Sequence, residues 1–257
     1  MDLRDAIQRI GLEWPSYGRP RITAELRRRG WTVNPKRVYR QLHEDNLLCV
    51  RKRKFVVTTD SNHGRKVYPN LAADLVLTGV NQLWRADITY IRLREEFVFL
   101  AMILLAVILD ACSRRVIGWA LDRSLEDELT LAALRMALSR RSAPPGLVHH
   151  SDRGSQYASN DYTDLLKMHG IDISMSRKGN PWDNAACESF MKTLKYEEVL
   201  RNEYRDLAEA RASIHVFLEK IYNCKRLHSA LGYVPPVEFE AQLAAQDREA
   251  AARQLIA

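Results

Sequence analysis

The chain carries the sequence LVHHSDRGSQY at residues 147–157 and PWDNAACESFMKTLK at residues 181–195. The first motif is a short apolar run that ends in Asp152 and a Gly/Ser turn, which is typical of a strand that delivers a carboxylate to a cleft. The second motif predicts a helix after Asn184 that carries Glu188 near its start. This part of the chain therefore predicts a strand and a helix that each present one functional acid.

A third carboxylate lies in the predicted strand at residues 83–91, where Asp87 is surrounded by apolar and β-branched residues. An acid in such a position needs a partner, because a buried charge is costly when it is unpaired. Three acids on two strands and a helix suit two Mg²⁺ or Mn²⁺ ions held roughly 3.5–4 Å apart, since hard cations prefer carboxylate oxygens. We therefore predict that Asp87, Asp152 and Glu188 are both catalytic residues and metal ligands.

The positive charge of the chain is concentrated in one segment. The 257 residues carry a formal charge of +7, and residues 19–54 alone contain twelve Lys and Arg against three acids. Such a concentration indicates a polyanionic partner rather than an evenly solvated surface. The length and a hydrophobic fraction of 46% indicate one sizeable core with a small additional domain.

Cysteine spacing and hydropathy argue against two other classes of protein. The four cysteines form no CxxC pair and have no histidine at ligand spacing, which disfavours a zinc finger and indicates free thiols in a reducing cytosol. The longest apolar run, residues 97–109, has 13 residues and is too short to span a bilayer. The start of the chain has no charged-then-apolar leader, so we expect a cytoplasmic protein with no membrane partner.

The first 50 residues predict a small all-α domain. A helical segment that ends at Gly30 is followed by Asn34, a suitable N-cap, and by Pro35, a suitable first residue for the next helix. Two short helices around a tight turn, the second one basic, predict a helix-turn-helix-like DNA-binding domain at residues 1–50. A small helical bundle with a solvated basic face is an alternative that the pattern leaves open.

Basic residues outside this domain also suit contact with DNA phosphates. Residues 51–80 predict a basic linker, and further basic residues lie in the turn before the Glu188 helix and on the helix itself. The predicted DNA-binding residues are Lys36, Arg37, Arg40, Arg51, Lys52, Arg53, Lys54, Arg177, Lys178, Lys192 and Lys195.

From residue 81 onward the pattern changes from helices to strands. Three successive strands are predicted at residues 83–92, 97–110 and 115–121, and a helix is predicted at residues 126–140. With the strand before Asp152 and the helix that bears Glu188, the order indicates an α/β domain. We predict that this domain, with C-terminal helices, covers residues 81–240 and that residues 241–257 form a tail.

Four motifs carry a resemblance to a known family. They are WRADITY at residues 84–90, HSDRGSQY at residues 150–157, NPWDNA at residues 180–185 and RLHSALGY at residues 226–233. Together they resemble the second-reading-frame (OrfB) proteins of bacterial insertion sequences of family three. In addition, 35 residues lie between Asp152 and Glu188, and Lys195 follows the glutamate by seven positions. This spacing resembles the D,D(35)E signature of transposases with a retroviral-integrase-like core.

The resemblance implies a fold, an activity and partners. The implied fold is a ribonuclease H-like mixed sheet flanked by helices, preceded by the small helix-turn-helix domain. The implied enzyme is a DDE-type transposase that cleaves and joins DNA strands at the ends of its own insertion sequence, using two Mg²⁺ or Mn²⁺ ions. The implied partners are double-stranded DNA, as terminal inverted repeats and target, and the upstream reading-frame (OrfA) protein. The resemblance also implies a homo-oligomer on DNA and a nucleoid-associated location in bacteria.

Two features depart from the family pattern. Residues 100–104 and 105–109 form a five-residue near-repeat, LAMIL followed by LAVIL, where the pattern has one copy. An odd insertion turns one side of a strand to the opposite face unless a bulge absorbs it. Arg85 lies two residues before Asp87 on the same strand face, where it is expected to pair with Asp87 and compete with metal. A catalytically impaired DNA-binding homologue or accessory protein is therefore an alternative, and a ribonuclease H-like nuclease that only hydrolyses is another.

Overall fold

A computed structural model of the chain describes residues 2–48, 66–93, 102–178 and 180–256. The described chain divides into two compact units. The smaller unit contains the first three helices together with Arg226–Pro235, and the larger unit contains a sheet and the remaining helices. No helix within the described ranges combines the length and the apolar character that a bilayer crossing requires.

The smaller unit is built from α1 (Leu3–Glu13), α2 (Arg19–Arg28) and α3 (Pro35–Glu44). The predicted start of α3 is confirmed, because the Asn34 side chain accepts a hydrogen bond from the Lys36 amide at 2.9 Å. Gly30 adopts a φ of +86° in the turn before it, a backbone conformation that favours glycine. The helices enclose an apolar core, and its fully buried residues are Ile7, Ile10, Ile22, Leu26, Val38 and Leu42.

A segment distant in the sequence completes this unit. Leu227 is buried in the same apolar core. Its amide donates to the Tyr17 hydroxyl at 2.7 Å, and its carbonyl accepts from Arg21 Nε at 3.0 Å. The segment Arg226–Pro235 therefore packs with the amino-terminal helices although the sequence places it near the other end of the chain.

The larger unit contains a five-stranded mixed sheet with the strand order β3-β2-β1-β4-β5. β1 pairs antiparallel with β2, and β2 antiparallel with β3, whereas β1, β4 and β5 are parallel neighbours. The strands are β1 (Leu83–Arg92), β2 (Met102–Asp110), β3 (Val116–Asp122), β4 (Val148–Ser151) and β5 (Asp172–Met175). The predicted bounds of β1 are confirmed, and residues 97–101 of the second predicted strand lie outside the described residues.

Helices cover both faces of the sheet. Leu134 of α4 and Leu166 of α5 pack on one face, and Phe190 of α6 and Ile214 of α7 pack on the other. The helices are α4 (Asp127–Arg140), α5 (Asn160–Met168), α6 (Ala185–Glu197), α7 (Leu207–His215) and α8 (Pro236–Ile256). A π-helical segment, Val216–Tyr222, continues α7, and short 3₁₀ helices lie at Pro181–Asn184, Val199–Arg201 and Ser229–Leu231.

The five-residue near-repeat lies in a strand that is buried on both sides. β2 pairs with β1 without interruption from Met102, opposite Arg92, to Asp110, opposite Trp84, so the bulge that we considered does not occur in this pairing. Alternate residues of β2 enter the two apolar layers of the unit. If an insertion turned the side chains of β2 to the opposite faces, each would move from one apolar layer into the other. No apolar side chain would become exposed. Leu100 and Ala101, which begin the first copy, lie outside the described residues.

The outer strand β3 carries the irregularity in the sheet. The register between β2 and β3 shifts at Ile108 and Leu109. At this point the Asn223 side chain accepts from the Val116 amide and donates to the Val116 carbonyl, each at 3.0 Å. A side-chain amide thus satisfies backbone groups at the edge of the sheet that would otherwise be left unpaired.

Gly118 allows α4 to lie directly on β3. A Cβ atom at this position would lie 2.2 Å from the Ala133 carbonyl oxygen and 2.9 Å from Ala137 Cβ. We predict that Gly118→Ala lowers the free energy of unfolding by about 3 kcal/mol, because backbone must move to admit the methyl group. Chemical denaturation would measure this, with Gly79→Ala as the control, since a Cβ there meets its nearest atom at 3.8 Å. Equal stability of the two variants would contradict the prediction.

Candidate active site

Asp87 and Asp152 are brought together by the parallel pairing of β1 and β4. The register sets Arg85 opposite His150. Asp152 follows directly after β4, so the same register continued by two residues would set Asp87 level with Asp152, and neighbouring parallel strands lie roughly 5 Å apart. Side chains alternate along a strand, and Trp84 and Ala86 face the layer of α4 and α5. Asp87 therefore faces the layer of α6, the helix that carries Glu188.

The segment that leads to Asp152 is fixed by two buried histidines. His149 Nε2 lies 3.0 Å from the Tyr162 hydroxyl, and the His150 ring contacts the hydroxyls of Ser174 at 2.8 Å and Ser176 at 3.0 Å. Burial lowers the pKa of His149 to about 3 and the pKa of His150 to about 4. Both rings are neutral near pH 7, and they serve as hydrogen-bonded parts of the core.

A glycine turn holds the Asp152 carboxylate. Asp152 Oδ1 accepts a hydrogen bond from the Gly154 amide at 2.9 Å. A Cβ atom on Gly154 would lie 3.0 Å from this oxygen, so a larger residue would push against the carboxylate. The glycine of the HSDRGSQY motif therefore leaves room for Asp152 beside its own backbone.

Two links connect the start of the Glu188 helix to β1. Asn184 Nδ2 donates to the Ala86 carbonyl at 3.1 Å, and the Arg85 guanidinium donates to the Asp183 carbonyl. The expected pairing of Arg85 with Asp87 is therefore wrong. Arg85 extends to the segment before α6, where its guanidinium donates to a backbone carbonyl instead of pairing with Asp87.

Asp183 organises the loop between β5 and α6. Its carboxylate accepts from the Arg177 amide at 2.8 Å, from Arg177 Nε and Nη2 at 3.1 and 2.8 Å, and from Asn180 Nδ2 at 3.2 Å. The Arg177 guanidinium holds the pKa of the Asp183 carboxyl well below its usual range. Arg177, which we predicted as a DNA contact, is thus engaged in an ion pair within the loop, although most of its side chain is exposed.

The Asp87 carboxyl has an unusual protonation equilibrium. Burial is the largest cause that raises its pKa to about 7, and the charges of Asp152 and Glu188 act in the same direction. The Ile88 amide, which donates to Asp87 Oδ1 at 2.9 Å, and the charge of Lys195 act in the opposite direction. The three acids therefore interact electrostatically, and Lys195 faces the same region from α6.

The residue types fit a hard divalent cation, but the carboxylates are not gathered as a finished ligand set. Glu188 lies 3.9 Å from Lys192 Nζ in an i,i+4 ion pair. Over the ranges that the structure describes, no three His, Cys, Asp or Glu side chains are close enough together to hold a metal ion. Neighbouring carboxylates repel one another, and a bound cation would reduce this repulsion. All three acids offer the oxygen donors that Mg²⁺ and Mn²⁺ prefer.

The remaining predicted DNA contacts fall into three groups. Lys36, Arg37 and Arg40 are exposed on α3, as predicted, while Val38 on the opposite face is fully buried. Lys178 and Lys192 are exposed on the larger unit. The predicted contacts at residues 51–54 lie outside the described residues.

Sequence reasoning missed Asp183 and Asn184 as structural participants in this site. Both lie in the NPWDNA motif, which we used for the family resemblance and to which we assigned no contact. A signal was present, because an acid and an amide immediately before a helix that carries a functional acid are well placed to fix its start. Their partners on β1 are distant in the sequence, so only the fold could identify them.

The comparisons with known proteins agree with these observations. The family model described as Integrase core domain matches residues 78–181, a second model of the same description matches residues 169–236, and the HTH-like domain matches residues 1–55. The chain is 41% identical over 225 residues to the uncharacterized 31 kDa protein of insertion element IS600 from Shigella sonnei. That match covers 87% of this chain and 81% of the relative.

A second relative carries an activity in its name, and a solved structure shares the fold. The chain is 40% identical over 225 residues to transposase InsF for insertion sequence IS3A from Escherichia coli (strain K12), covering 87% of this chain and 76% of the relative. A chain of the simian T-cell lymphotropic virus intasome matches with a TM-score of 0.52 at 15% identity, covering 91% of this chain and 74% of that one. The predicted ribonuclease H-like mixed sheet and the preceding helical domain are confirmed.

We predict that Asp87→Asn stabilises the metal-free chain at pH 8, by roughly 5 °C in melting temperature. The pKa of Asp87 is about 7 in the folded chain against 3.8 for an ordinary aspartate, so the folded state favours the protonated acid. Its stabilising contribution is fully present below pH 3.8 and is lost as the pH rises through about 7. Asparagine does not ionise, so the stability of the variant does not fall as the pH rises through 7.

Thermal melts in EDTA from pH 4 to pH 8 would measure the difference between the two proteins. The difference should be small at pH 4 and should grow until the pH passes 7. A difference that does not change with pH would show that Asp87 is not held as the neutral acid.

Proposed function

Because the chain belongs to the insertion-sequence transposases that carry an integrase core domain, we propose that Asp87, Asp152 and Glu188 are its catalytic residues. The enzyme is a DDE-type polynucleotidyl transferase that cleaves and joins DNA strands by an integrase-type mechanism. The observation that supports these three residues is electrostatic: the charges of Asp152 and Glu188 both raise the pKa of Asp87. Acids that interact in this way, from two strands and a helix, suit a shared cation site.

Each acid has a role that follows from its position. Because the charges of both other acids act on Asp87, Asp87 would be the ligand shared by two cations. Asp152, held by the Gly154 amide, and Glu188, on the first turn of α6, would each hold one. The bound Mg²⁺ or Mn²⁺ ions would activate a water or DNA 3′-hydroxyl and neutralise charge on the leaving oxygen.

The lysines of α6 place positive charge beside the acids. Lys195 is half-buried and close enough to lower the pKa of Asp87, while Lys192 contacts Glu188. Both ammonium groups are suited to neutralise DNA phosphates near the reacting strand.

The smaller unit supplies a basic surface for DNA. Its α3 exposes Lys36, Arg37 and Arg40 on the side opposite its buried residues, which is the arrangement of a helix that enters a groove. We propose that this surface binds the terminal inverted repeats of the element, with residues 51–54 and Lys178 contributing further phosphate contacts. We also propose that the enzyme acts as a homo-oligomer on DNA together with the OrfA protein encoded upstream.

We predict that Asp152→Asn abolishes strand joining, with a loss on the order of 10³-fold or more, because a cation ligand worth several kcal/mol is removed. The assay would use Mg²⁺ and duplex oligonucleotides that match the element ends flanking the reading frame. The matched control is Asp161→Asn, an exposed aspartate in the first turn of α5, which should retain full activity.

The same assay separates the competing activities. Joining by the wild-type chain that survives Asp152→Asn would refute the proposed catalytic role. Strand hydrolysis with no joining, even when a free 3′-hydroxyl end is supplied, would favour a nuclease that only hydrolyses. Retained DNA binding with neither reaction in the wild-type chain would favour the impaired DNA-binding homologue.

A separate prediction concerns Arg37 and DNA affinity. Arg37→Ala should weaken binding to duplex DNA of any sequence and make the slope of log affinity against log salt shallower by about 1, since one phosphate contact is lost. Fluorescence anisotropy at several salt concentrations would measure both quantities. Arg9→Ala, an exposed arginine of α1 in the same unit, is the control and should leave the slope unchanged. Identical slopes for all three proteins would argue for a solvated basic face.

A further inference from the structure

We propose that Asp183 and Asn184 are positioning residues that hold the Glu188 helix in register with the strand that carries Asp87. This inference rests on the proposed roles of Asp87 and Glu188 in the reaction. Neither positioning residue needs to touch DNA or a metal ion. Their function is to set the distance and angle at which the carboxylate of α6 meets the carboxylates of the sheet.

The first argument is the placement of the two links to β1. Consecutive residues of the strand, Arg85 and Ala86, bond to consecutive residues before the helix, Asp183 and Asn184. The next residue of the strand is Asp87. Asp87 is therefore adjacent in the strand to the residues that bind the start of the helix. The two hydrogen bonds resist a shift of the helix relative to Asp87.

The second argument is what the Asn184 side chain does not do. Asn184 occupies the position before the first residue of α6, where an asparagine side chain usually accepts a hydrogen bond from the first helical turn. It makes no such capping bond. Its amide instead donates to the Ala86 carbonyl, and Oδ1 is buried without a hydrogen-bond partner among the described residues. This use of the side chain sacrifices helix capping and ties two elements together.

The third argument is the second anchor on the other side. The Asp183 carboxylate binds Arg177 and Asn180 in the loop that leaves β5, while the Asp183 carbonyl binds Arg85 on β1. The peptide that joins Asp183 to Asn184 is therefore held from two sides, by β1 and by the loop that follows β5. Both residues are less than 10% exposed, so water does not compete freely for these bonds.

These links fix the position of Glu188 on the helix although 43% of its own side chain is exposed. Glu188 follows Asn184 by four residues, which is about one helical turn. A rotation or slide of the helix start moves the Glu188 carboxylate by a similar amount. Because displacement of about 1 Å can reduce a rate by 10²-fold, a fixed helix start matters more than the stability of the helix.

The test is the Mn²⁺ dependence of thermal stability and of strand joining in the Asn184→Ala variant of the full chain. We expect the Mn²⁺ concentration that gives half of the maximal melting-temperature shift to rise by about 10-fold or more, as for the loss of an outer-shell partner of a metal site. Strand joining should fall at low Mn²⁺ and recover in part at high Mn²⁺, while affinity for duplex DNA stays unchanged.

The matched control lies at the other end of the same helix. Asn202 Nδ2 donates to the Glu198 carbonyl at 2.9 Å, so Asn202→Ala also removes one asparagine bond to a backbone carbonyl. This variant should melt at a lower temperature with an unchanged Mn²⁺ dependence. Asp183→Asn, which keeps the shape of the side chain and removes its charge, is the second test variant and serves if Asn184→Ala does not fold. It should shift the Mn²⁺ midpoint in the same direction.

The outcomes distinguish this inference from the proposed function. If the wild-type chain responds to Mn²⁺ and the Asn184 or Asp183 variant lowers the melting temperature with no change in the Mn²⁺ midpoint, the two residues are merely structural and the inference is overturned. If the wild-type chain itself shows no Mn²⁺ response and Asp152→Asn behaves identically, the proposed cation site fails. A raised midpoint in the test variants alone supports the inference.

Discussion

The burial of the Asp87 carboxyl beside two other acids is the constraint on which the larger unit depends. A carboxylate in the middle of an interior strand is destabilising when it is charged, and the charges of Asp152 and Glu188 add to this effect. The folded chain reduces this cost by favouring the protonated acid, since the pKa of Asp87 is raised to about 7. The Ile88 amide also donates a hydrogen bond to the Asp87 carboxyl.

Much of this arrangement could be predicted from the sequence, because local signals were strong where the structure is regular. The alternation around Asp87 predicted β1, the Asn34-Pro35 pair predicted the start of α3, and the Gly/Ser turn after Asp152 predicted a carboxylate at a strand end. Spacing and motifs then identified the family, and the family supplied the fold. Periodicity alone gave only an α/β domain, since the strand order is decided by pairing between distant residues.

The failures have a common physical cause, which is that short or charged elements are decided by partners far away in the chain. β5 has four residues and α5 has nine, and neither carries enough of a repeating pattern to be recognised by itself. Arg85 was judged by its sequence neighbour Asp87, whereas its guanidinium donates to the Asp183 carbonyl. An arginine close in sequence to a functional acid can be part of the scaffold rather than a partner of that acid.

The two-sided burial of β2 has a consequence for how such a gene tolerates change. In a strand with one solvent-exposed face, apolar and polar residues alternate. A shift by one position therefore turns the apolar residues to solvent. β2 is buried on both faces over most of its length, so its sequence is apolar without such alternation and a shift exposes no apolar residue. Small duplications in this stretch can therefore lengthen the gene without unfolding the protein. A DNA element that is copied repeatedly can carry such duplications from one generation of copies to the next.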